Sequence, residues 1–143
     1  MTVGVESKAY FAKIIADYNR YITEVQTPEN KRQAEKTTYE SYQEALNLSQ
    51  SLHCCDPTRL GLLLNFAVFQ FEVMGNVSKA IELGDDTLHS ALEKVEEVDE
   101  ETFQITCNLI KLLKENLLIW QEEKQRTGEA EITNTFDDQT SDE

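Results

Sequence analysis

Apolar side chains return at three- and four-residue intervals through most of this chain, and polar punctuation divides the pattern into five segments. In the first, about Ser7 to Val25, Phe11, Ile14, Ile15, Tyr18, Tyr21, Ile22 and Val25 form one apolar stripe, the signature of an amphipathic helix. Thr27-Pro28 closes it and opens the next, with Thr27 placed to cap and Pro28 suited to the first helical turn. That second segment, to roughly Leu52, carries only a thin stripe of Ala34, Tyr39, Tyr42, Ala45, Leu46 and Leu48.

Asp56-Pro57 repeats the cap-and-proline signal and opens a third helix, about Pro57 to Met74. Leu60, Leu62, Leu63, Leu64, Phe66, Val68, Phe69 and Phe71 make it apolar on nearly every side, so it should lie at the centre with neighbours all round. Gly75-Asn76 stops it. A fourth helix, about Ser78 to Val98, buries Ile81, Leu88, Leu92 and Val95, with Gly84 as a mild weak point of about 1 kcal/mol relative to alanine. Asp99 caps a fifth, about Glu100 to Gln125, carrying Phe103, Leu109, Ile110, Leu112, Leu113, Leu117 and Trp120.

From Thr127 the pattern ends. The last 17 residues hold six acidic and no basic side chains. Too little apolar area is present to offset the entropy of ordering them. The expected organisation is an all-α domain over residues 1–126, with neighbouring helices antiparallel because their connections are short, and a disordered acidic tail over 127–143. No 34-residue self-similarity marks an ordinary tetratricopeptide array.

Charge narrows the partners. A net charge of −14 repels nucleic acid and anionic lipid at long range. No signal or transit peptide is visible, and the longest apolar stretch, Leu60 to Phe71, is too short to span a bilayer. Three cysteines, two of them adjacent, are no disulfide framework and suit a reducing compartment. The expected location is the cytoplasm, with the nucleus as a second compartment.

Three stretches place strong hydrogen-bonding groups inside apolar helical pattern: Asp17-Tyr18-Asn19-Arg20-Tyr21, Arg59 through Phe66 with Asn65, and Glu115 through Trp120 with Asn116. Arginine suits a phosphate because its planar guanidinium donates parallel charge-assisted hydrogen bonds. An amide both donates and accepts, which suits an extended peptide backbone. The same residues also have bland readings. Arg20 can pair with Asp17 or Glu24 one turn away, Asn65 and Asn116 can satisfy buried polar groups, and Lys13 can be a solvated lysine on the same face.

At these stretches the chain resembles the 14-3-3 family of phosphoserine/phosphothreonine-binding adaptors. Tyr10 through Tyr21 looks like the family's fifth helix, Pro57 through Phe69 its seventh, and Phe103 through Trp120 its ninth. The resemblance covers about residues 5 to 125 and implies the C-terminal half of a nine-helix fold stacked in tetratricopeptide-like fashion. The dimerising helices and two further basic phosphate ligands are then missing from this chain.

By that resemblance Arg20 and Tyr21, with Lys13 at the edge, meet the phosphate. Asn65 and Asn116 hold the peptide backbone, Glu72 orients pocket groups, and Leu64, Val68, Leu109, Leu112 and Trp120 line the apolar side. Without it those five apolar residues read as core. Asn108, Cys107, Lys111 and Leu118 depart from the family pattern, and Asn108 should make the apolar wall wetter. The implied partners are phosphorylated clients and other 14-3-3 subunits, with no cofactor, no metal and no catalysis. The alternative is a degenerate helical scaffold whose interactions do not depend on phosphate. His53-Cys54-Cys55-Asp56 is the one cluster that suggests metal or nucleophilic chemistry; zinc sites favour two spaced ligand pairs, and the sequence offers no second pair.

Overall fold

A computed structural model describes the backbone of residues 4–141 and the side chains through residue 128. Among the described residues five α-helices follow in order: α1 (Val5–Glu24), α2 (Pro28–Ser49), α3 (Pro57–Glu72), α4 (Val77–Lys94) and α5 (Glu100–Ser141), with a short 3-10 turn at Val95–Glu97 between the last two. Among the described residues there is no strand. The fold is the all-α, five-helix arrangement that the apolar periodicity predicts.

Capping fixes the boundaries, and in places not as expected. Asp56 Oδ1 accepts the Thr58 and Arg59 amides at 2.9 and 3.4 Å, so α3 begins at the predicted Pro57. Asp99 does the same for α5 through Thr102 N at 2.7 Å. Thr27 precedes Pro28 as predicted, but its side chain makes no cap bond; only its carbonyl accepts, from the Asn30 and Lys31 amides. Helix α3 ends two residues early, at Glu72, where Gly75 takes a φ of 64°, a left-handed turn that glycine adopts without side-chain clash. Helix α4 gives way at Lys94 to the 3-10 turn rather than reaching Val98.

Helix α5 continues past Gln125, the predicted end. The Thr127 hydroxyl bonds back to the Glu123 carbonyl at 3.0 Å, and Arg126 pairs with Glu123. Of the acidic segment 127–143, only Thr127 and Gly128 are fully described. The expected disorder of the rest falls on residues outside the described side chains.

Helix α3 is central, touching α1, α2, α4 and α5. Three apolar clusters follow from that position. Phe66, Phe69 and Leu62 meet Ala16 of α1 and Tyr42 and Ala45 of α2. On the other side Leu64 and Ala67 meet Ala80 of α4 and Leu113, Leu117 and Trp120 of α5. Leu60 and Cys55 close against Ala91 and Ile110. The pairings run in opposite senses: Asn19 bonds Ser41 while Asp17 bonds Tyr42, and Gly84 lies on Leu117 and Trp120 while Ala91 meets Ile110. The pairs α1–α2 and α4–α5 are therefore antiparallel, whereas α1 and α3 run side by side in the same sense, Lys13 lying at Gly61 and Asp17 at Asn65.

Gly84 is more than a weak point. A Cβ there would sit 2.6 Å from Leu117 Cδ2 and 3.3 Å from Trp120 Cζ3. The missing side chain lets α4 and α5 approach closely.

Candidate functional site at the α1–α3 interface

The polar residues of α1 and α3 converge on Asp17. Its Oδ2 takes Lys13 Nζ at 3.1 Å. The Tyr42 hydroxyl donates to Oδ1 at 2.6 Å, and Asn65 Nδ2 reaches Oδ2 and Oδ1 at 3.1 and 3.3 Å. Three helices thus close on one carboxylate. Tyr42 is fully buried, and its hydroxyl is held protonated: burial, then the donated bond to and charge of Asp17, push its pKa far up. The sequence analysis pairs Asp17 with Arg20 alone, although Lys13 also lies four residues from it, one helical turn. Nothing local marked Tyr42 or Asn65 as its partners.

Arg20 stands one turn beyond Asp17 and takes a different role from the intrahelical pairing considered above. Among the described residues it forms no ion pair. Its Nη1 donates to the Asn65 backbone carbonyl at 3.3 Å, and its guanidinium carbon lies 5.2 Å from the centre of the Tyr21 ring, within cation–π range. Burial would lower its pKa, but Tyr42, Tyr21 and Asp17 outweigh that and raise it. Arg20 is therefore a fixed, half-buried cation. Beyond the Asn65 carbonyl and the Tyr21 side chain, the five-donor guanidinium has N–H groups left to donate.

The structure joins Lys13, Arg20, Tyr21 and Asn65 into one patch. Lys13 is committed to Asp17, so Arg20 carries the free positive charge. Asn65 is committed through its NH2 group, which leaves its amide oxygen to accept.

None of the remaining candidates bonds to Asp17 or Arg20 among the described residues. Asn116 is part-exposed on α5 and, among the described residues, its side chain makes no hydrogen bond. Glu72 is exposed at the end of α3. Val68 and Leu109 are half-buried beside the second cluster, while Leu112 is exposed on α5. Leu64 and Trp120 are only 4% and 2% exposed; they are enclosed by Ala67, Ala80, Leu113 and Leu117 rather than open to a groove. The Trp120 ring lies 5.9 Å from that of Phe71. Those two are core residues of the α3–α4–α5 cluster.

An all-α array with a fixed cation and an amide on adjoining helices defines the class. The 14-3-3 protein family model matches residues 2–121, and this chain belongs to that family. It is 36% identical over 119 residues to 14-3-3 protein 2 of Entamoeba histolytica, covering 83% of this chain and 50% of that protein. It is 35% identical over 121 residues to 14-3-3 protein beta/alpha of Mus musculus (84% and 49%). To 14-3-3 protein beta/alpha-A of Xenopus laevis it is 34% identical over 121 residues (84% and 50%). The chain spans about half the length of the curated relatives it matches. Among the described residues no helix is long and apolar enough to cross a membrane.

Proposed function

We propose that this chain is a non-enzymatic cytoplasmic adaptor that binds phosphoserine or phosphothreonine segments of client proteins. Arg20 and Tyr21 meet the phosphate, Lys13 adds positive potential, and Asn65 and Asn116 hold the peptide backbone. One observation carries this reading: the Arg20 guanidinium is half-buried, bonded to the Asn65 carbonyl at 3.3 Å, and paired with no carboxylate among the described residues. A cation held in place and in direct contact with no carboxylate is suited to an anion with several acceptor oxygens. Asn65 alongside it has an amide oxygen available for a peptide N–H.

Fluorescence anisotropy with a phosphorylated peptide and its unphosphorylated twin tests the reading. Phosphate-dependent binding that Arg20→Ala removes supports it. Equal binding of the two peptides, or binding unchanged by Arg20→Ala, overturns it.

A second association is favoured by α1. Phe11, Ile15, Tyr18, Ile22 and Val25 are all exposed along it, at alternating four- and three-residue steps suited to a partner helix. Another 14-3-3 subunit fits this face, and Arg20→Ala leaves that association intact.

A further inference from the structure

The loop between α2 and α3 carries chemistry that the phosphate site does not use. A ring nitrogen of His53 and the Sγ atoms of Cys54 and Cys55 all lie within 4.8 Å of one another. We infer that His53, Cys54 and Cys55 form a binding site for a thiophilic divalent cation of the zinc class, with Glu97 as the carboxylate that orients the histidine.

The loop is held from several sides, so the ligands are already gathered. Thr106 of α5 donates to the Cys55 carbonyl at 2.8 Å. Asp56 is engaged as the α3 cap, and its own amide bonds the His53 carbonyl at 2.9 Å. The thiols bond weakly to each other and to α4 carbonyls, Cys54 to Ser90 at 3.6 Å and Cys55 to Ala91 at 3.3 Å. A metal–thiolate bond replaces such contacts readily. Tetrahedral zinc has bonds of about 2.3 Å to sulfur and about 2.0–2.1 Å to nitrogen. Its ligand atoms therefore sit roughly 3.4–3.8 Å apart, and side-chain rotation closing the cluster by about 1 Å is enough.

The histidine supports the assignment from its far side. Nε2 lies 2.8 Å from Glu97 Oε1, the carboxylate–histidine arrangement that fixes the tautomer and leaves the other nitrogen to ligate. That nitrogen, Nδ1, takes the Cys55 amide at 3.0 Å, a contact that yields on coordination. Two thiolates and an imidazole favour zinc over the hard cations calcium and magnesium. The fourth position opens onto a cavity of about 450 Å³ bordered by Ser90, Glu93 and Lys94, where water or Glu93 can reach. Lys94 opposes the cation, and Glu93 and Glu97 offset it. Arg59, also on that rim, is turned to the Leu52 carbonyl at 2.6 Å.

The test is a titration of the reduced, chelator-stripped full chain with Co(II) and then Zn(II), followed by absorbance, with metal content measured after gel filtration. The expected result is one metal per chain with a thiolate-to-cobalt charge-transfer band. Cys54→Ser and His53→Gln each weaken affinity at least about tenfold, and Glu97→Gln does so about 10- to 100-fold. Cys107→Ser leaves affinity unchanged, and circular dichroism checks that each variant is folded. A missing band, affinity indifferent to both Cys54→Ser and His53→Gln, or loss in Cys107→Ser overturns the site.

Discussion

Asn65 donates its side-chain amide to both carboxylate oxygens of Asp17, at 3.1 and 3.3 Å, and so fastens α3 to α1. The Asn65 backbone carbonyl, directed by α3 itself, accepts from Arg20 one turn further along α1. Asp17 is therefore the post on which the candidate phosphate site hangs, although it would repel a phosphate if it stood alone. Lys13, Tyr42 and Asn65 all donate to it, which delocalises its charge into the scaffold.

Removing that carboxylate strands its donors. In Asp17→Ala the fully buried Tyr42 hydroxyl loses its acceptor, and an unsatisfied buried polar group costs about 1–3 kcal/mol. Urea unfolding should show a loss in that range, with Asp17→Asn milder because the amide oxygen still accepts. Wild-type stability in Asp17→Ala would mean that water reaches Tyr42.

Phosphopeptide binding should separate Arg20→Lys from a conservative change. Lysine keeps the charge but loses the planar fork, the bond to the Asn65 carbonyl and the stacking on Tyr21. One lost charge-assisted hydrogen bond is worth about 1.5–3 kcal/mol, roughly 10- to 100-fold in Kd. Anisotropy should therefore place Arg20→Lys well above wild type in Kd for the phosphorylated peptide, with little change for the plain one. Full retention of affinity by lysine would show that only net charge matters.

What the sequence made legible divides along physical lines. Helix existence came from periodicity, and the α3 and α5 starts from Asp56 and Asp99, because these signals are local. The Gly84 contact was hidden because its cause is on α5; a propensity scale registers only the missing methyl. Asp17 read as a neighbour for Arg20, since both lie on one helix turn, whereas its partners Tyr42 and Asn65 come from two other helices. Leu64 and Trp120 sit where plain apolar periodicity puts them, in the core. Lys13 and Arg20 each lie about one turn from Asp17, so spacing alone could not say which of the two it takes; the structure gives it to Lys13.

Gly84→Ala sets helix propensity against packing. Alanine gains about 1 kcal/mol in a helix interior, but its methyl would meet Leu117 Cδ2 at 2.6 Å and Cγ at 3.1 Å. Leu117 is 4% exposed and has little room to turn. Overpacking costs typically about 1–3 kcal/mol, so the contact should win. The expected outcome is a lower thermal midpoint despite the better helix former. A rise would show that α4 and α5 separate at little cost.

The Asp99 cap gives a pH signature with a definite sign. The Thr102 backbone amide, and then its hydroxyl, stabilise the charged carboxylate and lower its pKa in the folded chain. In the unfolded chain Asp99 titrates near the ordinary value of about 3.9. A depressed folded pKa contributes stability that is fully present above the unfolded pKa. That contribution is lost as pH falls through the folded one. Asp99→Ala removes the cap at every pH. Thermal midpoints of wild type and Asp99→Ala should therefore differ by a constant amount at neutral and mildly acidic pH, then converge as acid protonates the cap. Because the carboxylate is fully exposed, added salt should shrink the part of the gap that comes from charge and leave the part that comes from the hydrogen bond. A gap that stays constant down to the most acid pH at which the chain is folded would mean that Asp99 holds Thr102 equally well in its neutral form.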